Sequence, residues 1–142
     1  MRKVSQVLKR KGASVISVLP DMAVLHALEL MAEKNIGSVM VMEEGEYLGI
    51  MTERDYARKV VLKGQSSTET KVKDIMSTGL PRITPDNSID TCMHIMSENN
   101  IRYLPVFEND QVCGILSIND VVTETILAQK ETIDQLRNYI QS

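Results

Sequence analysis

The feature that most constrains the fold of this chain is an internal repeat. The window from Pro20 to Asp55 returns without gaps as the window from Pro85 to Asp120, so every position is displaced by 65 residues. A period of this size is one supersecondary unit, which must bury its apolar face against a neighbour. Two copies therefore predict one pseudo-symmetric body with two matching sites.

The clearest local match joins residues 49–55 to residues 114–120. Both segments read Gly-Ile-apolar-hydroxyl-x-x-Asp, with Thr52 and Asp55 in the first copy and Ser117 and Asp120 in the second. Because this is the part of the repeat that keeps polar residues in fixed positions, we expect function to reside there.

The hydrophobic pattern changes in the same order within each copy. A short β-prone run (residues 15–18 or 80–83) is followed by an amphipathic helix pattern, which Asp21 or Ser88 can cap. Two further apolar runs follow, separated by an acidic turn, and a second helix pattern begins at the motif. The order predicts a β-α-β-β-α unit, and the fold class is α/β (α+β).

These patterns divide the chain into four parts. Repeat 1 covers residues 1–64 with its core at 13–62, a polar linker covers 65–71, repeat 2 covers 72–128, and a helical tail covers 129–142. A short amphipathic helical piece precedes each unit, at residues 4–8 and 72–76, and these two pieces are offset by 68 residues instead of 65. Three extra residues therefore separate piece from strand in the first copy.

The tail carries one apolar stripe, which a stable helix must bury. Packing against its own domain and contact with a second subunit are the two alternatives. The stripe consists of Ile126, Ile133, Leu136 and Ile140.

Composition excludes several classes of protein. With 43% hydrophobic and 25% charged residues among 142, the chain is typical of a globular domain, and no apolar run approaches the roughly 20 residues of a membrane span. A net charge of −3 gives no global reason to bind nucleic acid. The basic start is not followed by an apolar signal core, so we expect a cytoplasmic protein.

Isolated reactive residues give no sign of catalysis or of a metal site. Cys92 and Cys113 lie outside any CxxC pattern, and we interpret both as reduced core thiols. His26 and His94 each stand alone within a helix pattern, which does not favour a metal site. No nucleophile-base arrangement or P-loop is visible, and we expect a protein that is not an enzyme.

The repeated hydroxyl and aspartate allow two interpretations. The spacing is that of a capping box, which closes a helix N-terminus. Alternatively, a strand end that leads into a helix exposes N–H groups suited to phosphate, and the carboxylate accepts hydrogen bonds from two sugar hydroxyls. Charged residues at neighbouring positions, among them Arg54, Arg58 and Arg102, favour the second interpretation.

The Pro-Asp start of each helix, the segment Leu104-Pro105-Val106 and the motif at residues 49–55 together resemble a pair of cystathionine-β-synthase (CBS) domains. The resemblance covers nearly the whole chain and is strongest to small stand-alone CBS-pair proteins. It implies that two repeats pack as a pseudo-two-fold disc, with two clefts that commonly hold AMP, ADP, ATP, NAD or S-adenosylmethionine. It also implies homodimers, formed through the discs or the C-terminal helix.

The resemblance assigns residues to each cleft, with the aspartate from one repeat and the adenine wall from the other. Cleft one would use Ile50, Thr52, Arg54, Asp55 and Arg58, walled by Leu80, Pro81, Arg102 and Tyr103. Cleft two would use Ile115, Ser117, Asn119 and Asp120, walled by Ala13, Val15, Ile16, Gly37 and Ser38. Because the arginines and Lys59 belong to cleft one, we expect the phosphorylated ligand there and nearly neutral partners in cleft two.

The resulting functional expectation is a regulatory module that senses an adenine nucleotide or NAD and signals to a partner protein or across a homodimer. The alternative is a structural dimerisation or protein-interaction module with no physiological nucleotide. A nucleotide-handling enzyme is a third reading, for which no catalytic residues can be identified.

Overall fold

A computed structural model of the chain describes residues 2–12 and 15–141. It contains two compact units, each described here by itself. We call residues 14–80 the Asp55 unit, and residues 1–13 together with 81–142 the Asp120 unit, after the motif aspartate that each contains. Both units mix helices and strands in the predicted order, and the prediction of an α+β fold is confirmed.

The helices and strands follow the repeat. The helices are α1 (Val4–Lys11), α2 (Val24–Lys34), α3 (Glu53–Tyr56, continued by a π-helical turn at Ala57–Val61), α4 (Val72–Ile75), α5 (Ile89–Asn99) and α6 (Ile118–Gln141). The strands are β1 (Ser17–Val18), β2 (Ser38–Glu43), β3 (Glu46–Thr52), β4 (Tyr103–Glu108) and β5 (Gln111–Ser117).

Each unit is built around a tight β-hairpin. The β2–β3 turn has positive φ at Glu44 (51°) and Gly45 (78°), and the β4–β5 turn has positive φ at Asn109 (53°) and Asp110 (63°). Two successive residues of this kind are typical of a type I′ turn, whose twist matches that of the strands. The register then places Thr52 opposite the first residue of β2, and Ser117 opposite Tyr103, the first residue of β4.

The sheets differ at the first predicted strand. In the Asp55 unit, β1 pairs in parallel with β2, giving the order β1-β2-β3. In the Asp120 unit the expected strand at residues 80–83 is reduced to one parallel bridge between Ile83 and Val106. Pro81 lacks a backbone donor, and the Arg82 guanidinium lies 4.1 Å from the centre of the Phe107 ring. The prediction of a strand there was therefore correct only at Ile83.

Two separate clusters of buried residues form the cores. The Asp120 unit buries Val4, Val7, Ile89, Cys92 and Met96 among others. The Asp55 unit buries the equivalent helical stripe of α2 together with residues of α4, and that cluster includes Val24, Ala27, Met31, Val72 and Ile75. The apolar stripes predicted from the 3.6-residue period thus face the cores.

The compact units depart from the predicted domain boundaries at their leading pieces. α1 was assigned to repeat 1, yet it joins the Asp120 unit, where the N–H of Val4 donates to the carbonyl of Asn87 (3.0 Å). α4 was assigned to repeat 2, yet it joins the Asp55 unit, where the N–H of Val72 donates to the carbonyl of Met22 (2.9 Å). Both pieces carry the same apolar pattern, so the sequence does not distinguish which core each one enters.

The linker at residues 65–71 also differs from its prediction, because it packs on the Asp55 unit. The carbonyls of Ser67 and Thr70 accept the N–H groups of Leu25 and Val24, both at 2.9 Å. They satisfy the free N–H groups at the start of α2, where Asp21 was expected as the cap. Asp21 instead pairs with Lys73 at 3.0 Å and with Lys71 at 3.7 Å.

The helix that begins at the second motif continues without a break into the predicted tail, so α6 is 24 residues long. Its apolar stripe is half or more exposed, which contradicts packing on its own domain; the four residues are Ile126, Ile133, Leu136 and Ile140. No helix in residues 2–12 and 15–141 is both long and apolar enough to cross a membrane.

Candidate functional site

The motif of the Asp55 unit lies where β3 ends and α3 begins. Thr52 is the N-cap of α3: its Oγ1 accepts the N–H of Asp55 (3.0 Å), while Oδ2 of Asp55 accepts both the N–H and the hydroxyl of Thr52 (3.0 Å each). These bonds confirm the capping-box interpretation of the repeated spacing for this copy.

The other oxygen of Asp55 is also occupied. Its Oδ1 accepts the hydroxyl of Ser77 (2.9 Å) and is paired with the ammonium of Lys59 (3.0 Å). A carboxylate offers about four acceptor sites, and these contacts fill all of them. Asp55 is also buried, at 6% exposed. A sugar hydroxyl could bind Asp55 only by displacing one of these partners.

Lys59 is held in place by the backbone around it. It lies in the π-helical turn, where the N–H of Leu62 donates to the carbonyl of Ala57 (3.0 Å), and its ammonium also donates to the carbonyl of Ile75 (2.9 Å). Lys59 was expected to contribute charge for a phosphate. In the structure it neutralises Asp55 instead.

The motif of the Asp120 unit has the same capping geometry but different partners. The N–H of Ser117 donates to Oδ2 of Asp120 (2.8 Å), and the N–H of Asp120 donates to Oγ of Ser117 (3.1 Å). The ammonium of Lys11, the last residue of α1, donates to the same Oδ2 (2.9 Å) and to the carbonyl of Ile115 (3.1 Å). Asp120 is 9% exposed.

Hydrogen-bonding capacity therefore remains at the second motif. Among the described residues, all these contacts of Asp120 fall on Oδ2, which leaves Oδ1 as an acceptor. The Ser117 hydroxyl accepts one bond and keeps its proton to donate. The Lys11 ammonium has three N–H donors, of which two are used. One acceptor and two donors thus meet at the start of α6.

The leading pieces explain why the two motifs differ. α4 ends at Ile75, and the chain becomes extended, so that Ser77 pairs with Ile50 and its hydroxyl reaches Asp55. α1 continues as helix to Lys11, whose longer side chain reaches Asp120. Sequence reasoning missed the roles of Ser77 and Lys11, although the offset of 68 instead of 65 residues indicated that the pieces diverge.

The predicted site residues are distributed over both units. The Asp55 unit contains Val15, Ile16, Gly37, Ser38, Ile50, Thr52, Arg54, Asp55, Arg58 and Leu80. The Asp120 unit contains Pro81, Arg102, Tyr103, Ile115, Ser117, Asn119 and Asp120. Ala13 lies outside the described residues. Since each predicted cleft takes residues from both units, the composition of the two clefts stays a prediction.

Within each unit, one backbone contact ties the motif helix to the strand before it. The N–H of Glu53 donates to the carbonyl of Gly37 (3.1 Å), and the N–H of Ile118 donates to the carbonyl of Arg102 (2.8 Å). These equivalent bonds place the residues that precede β2 and β4 beside the motif of their own unit.

Two surface grooves lie away from the motif aspartates. One, of about 460 Å³, is in the Asp55 unit and is lined by Lys59, Lys63, Gln65, Ser66, Glu69, Thr70, Asp74 and Ile75. The other, of about 490 Å³, is in the Asp120 unit and is lined by Arg2, Ile89, Asp90, Glu124, Thr125, Ala128, Gln129, Thr132 and Ile133. In the described part of the chain, no three His, Cys, Asp or Glu side chains are grouped as metal ligands.

Comparison with known proteins gives consistent matches. The CBS domain family model matches residues 4–62 and 72–126. The CBS domain-containing protein CBSX3, a mitochondrial protein of Arabidopsis thaliana, is 37% identical over 147 residues, which is 97% of this chain and 71% of that protein.

Solved structures agree with the sequence match. A Burkholderia ambifaria protein with CBS domains, assigned to signal transduction, is 41% identical with a TM-score of 0.85, over 89% of this chain and 96% of that one. A hexameric CBS-CP12 protein from bloom-forming cyanobacteria matches in fold, with 22% identity and a TM-score of 0.78, over 97% of this chain and 83% of that one.

Proposed function

The chain belongs to the CBS domain family, of which it carries two repeats, and on this premise we propose that it is a regulatory module for adenosine phosphates. The ligand would be AMP, ADP, ATP or NAD, and its binding would shift the activity of a partner protein or be transmitted across a homodimer. The assignment of the B. ambifaria relative to signal transduction supports a regulatory role over a catalytic one.

The observation that carries the proposal is the unused hydrogen-bonding capacity at the Asp120 motif. Oδ1 of Asp120 can accept a ribose hydroxyl, while the Ser117 hydroxyl can donate to a second oxygen of the ligand. The motif lies at the N-terminus of α6, where the helix dipole favours negative charge. These groups suit a sugar that carries a phosphate.

This reasoning reverses the expected preference between the two motifs. The arginines near Asp55 favoured a charged ligand there, but the carboxylate of Asp55 already accepts from Thr52, Ser77 and Lys59. We therefore propose that the Asp120 motif binds the nucleotide more tightly than the Asp55 motif.

Calorimetric titration of the full chain with AMP, ATP and NAD tests the proposal. Asp120→Asn should weaken binding by about tenfold or more, because hydrogen bonds to a charged group contribute about 1.5–3 kcal/mol. Asp55→Asn is the matched control, and it should lower thermal stability while leaving the affinity within about twofold. No binding by the wild type would refute the function, and equal loss in both variants would refute the choice of motif.

A second candidate function is supported by a separate observation, the exposed apolar stripe of α6. A structural module would use this stripe to pair with a second copy of the chain, and the hexameric CBS-CP12 relative gives a precedent for assembly among CBS proteins. Sedimentation equilibrium of Leu136→Lys against Gln135→Lys, on the opposite helix face, tests it. Only Leu136→Lys should dissociate the assembly, and a monomeric wild type would exclude this function.

A further inference from the structure

We propose that Lys11 is the phosphate-binding residue of the Asp120 motif and makes that motif selective for a phosphorylated nucleoside over the nucleoside itself. The inference rests on the proposed function and adds to it the residue that distinguishes the ligand class. It was not visible in the sequence, where the set around Asp120 was expected to offer nearly neutral partners.

The geometry places a cation beside the two other groups with unused capacity. The Lys11 ammonium lies 2.9 Å from Oδ2 of Asp120 and 3.1 Å from the carbonyl of Ile115, and its third N–H remains to donate. Its side chain is 39% exposed, so a ligand in solvent can reach it. A phosphate can bind this ammonium and the Ser117 hydroxyl, while a ribose hydroxyl donates to Oδ1 of Asp120.

The position of Lys11 is fixed by the packing of α1. Val4 and Val7 are fully buried in the core of the Asp120 unit. The side chain of Leu8 lies against Gly114, where an added Cβ would be 2.8 Å from Cδ2 of Leu8. A cation on a rigid helix loses little further conformational freedom when the ligand binds, which favours affinity.

The neighbouring arginine does not compete for this role. Arg10 directs Nε and Nη2 to Oε1 of Glu124, both at 2.9 Å, and the side chain of Glu124 is only 2% exposed. Arg10 is thereby committed to a buried carboxylate. The next cation on α1, Lys9, is exposed, and it serves as a control for the loss of one positive charge from the same helix.

The first motif has a lysine on its aspartate as well, but it lacks the matching acceptor. Lys59 binds Oδ1 of Asp55 and the carbonyl of Ile75, and the remaining acceptor sites of Asp55 are taken by Ser77 and Thr52. A nucleotide needs an acceptor for its sugar and donors for its phosphate at the same place. Within the described residues, the Asp120 motif offers both.

The test compares AMP with adenosine, which differ only in the phosphate, by calorimetry on the full chain. Lys11→Gln should raise the Kd of AMP about tenfold or more and leave that of adenosine within about twofold. Lys9→Gln should change neither Kd. Lys11→Arg, which keeps the charge, should retain a preference for AMP over adenosine.

The possible failures can be told apart. If the wild type binds neither AMP nor adenosine, the proposed function fails and this inference fails with it. If the wild type binds both, and Lys11→Gln weakens both equally or weakens neither, the nucleotide function stands and the role of Lys11 is refuted. Loss of AMP preference in Lys11→Arg, with adenosine affinity unchanged, would also overturn the assignment of Lys11 as a charge contact.

Discussion

Replacing Gly49 by alanine should destabilise the protein more than replacing Gly114, although the two glycines occupy equivalent positions in the repeat. A Cβ on Gly49 would lie 2.7 Å from the carbonyl oxygen of Ser77 and 3.2 Å from Sδ of Met76. A Cβ on Gly114 would lie 2.8 Å from Cδ2 of Leu8. The clash is similar in distance but differs in what must move.

At Gly49 the obstacle is backbone that is already bonded. The carbonyl of Ser77 accepts the N–H of Ile50 (3.1 Å), and the N–H of Ser77 donates to the carbonyl of Ile50 (2.8 Å). Relief of the clash strains this bridge, whose hydrogen bonds contribute about 1 kcal/mol each, and overpacking costs about 1–3 kcal/mol. We expect Gly49→Ala to lower the free energy of unfolding by about 2 kcal/mol.

At Gly114 the obstacle is the end of a side chain, which can rotate. An off-rotamer Leu8 costs about 0.5–1.5 kcal/mol, and loss of a glycine from the unfolded chain returns about 0.4–1 kcal/mol. The net change for Gly114→Ala should therefore stay within about 1 kcal/mol of zero. The sign should become favourable in a Leu8→Ala background, where the obstacle is gone.

Urea denaturation followed by circular dichroism measures both variants. The matched background for Gly49→Ala is Met76→Ala, which removes the side-chain contact but leaves the carbonyl of Ser77 in place. Gly49→Ala should remain destabilising there. Equal losses for Gly49→Ala and Gly114→Ala, or rescue of Gly49→Ala by Met76→Ala, would refute the argument that the backbone carbonyl decides the difference.

Two further predictions concern buried groups of the Asp120 unit. Arg10→Met should cost about 1–3 kcal/mol in urea denaturation, because it removes the nearest cation from the buried Glu124, while Arg10 itself is 41% exposed and partly screened. An Arg10→Met, Glu124→Gln double variant should recover part of the loss, and strict additivity would contradict the pairing. Burial raises the pKa of the Cys92 thiol to about 11, so the stability from its neutral form is present below its ordinary value of 9.0 and is lost as pH rises towards 11. Ellman's reagent should therefore label Cys92 more slowly than the partly exposed Cys113, and faster labelling of Cys92 would contradict its burial.

Local patterns predicted most of the secondary structure. The hairpin strands, the two core-facing helices and the capping box at Thr52 all depend on residues close in sequence, where periods of 2 and 3.6 residues and the turn chemistry are sufficient. The strand expected at residues 80–83 failed because Pro81 weakens it, and the Asp21 cap failed because backbone carbonyls of the linker cap α2 instead.

The partners of the motif aspartates could not be predicted in this way. Ser77 and Lys11 reach Asp55 and Asp120 only because α4 and α1 join the unit of the other repeat, which is a tertiary event. Both leading pieces have the same apolar pattern, so their burial alone gives no preference between cores. The three-residue difference in offset is the local trace of their different paths.

The two aspartates also show why identical motifs need not do identical work. The capping bonds use one oxygen of each carboxylate and are common to both copies, so the motif is first a way to start a helix. What remains for a ligand depends on the second oxygen, and that oxygen is controlled by the leading piece, outside the repeated window. In the Asp55 unit, Ser77 and Lys59 close it. In the Asp120 unit, Lys11 binds the capping oxygen and leaves the other one open, so divergence in α1 alone is sufficient to turn a structural motif into a binding site.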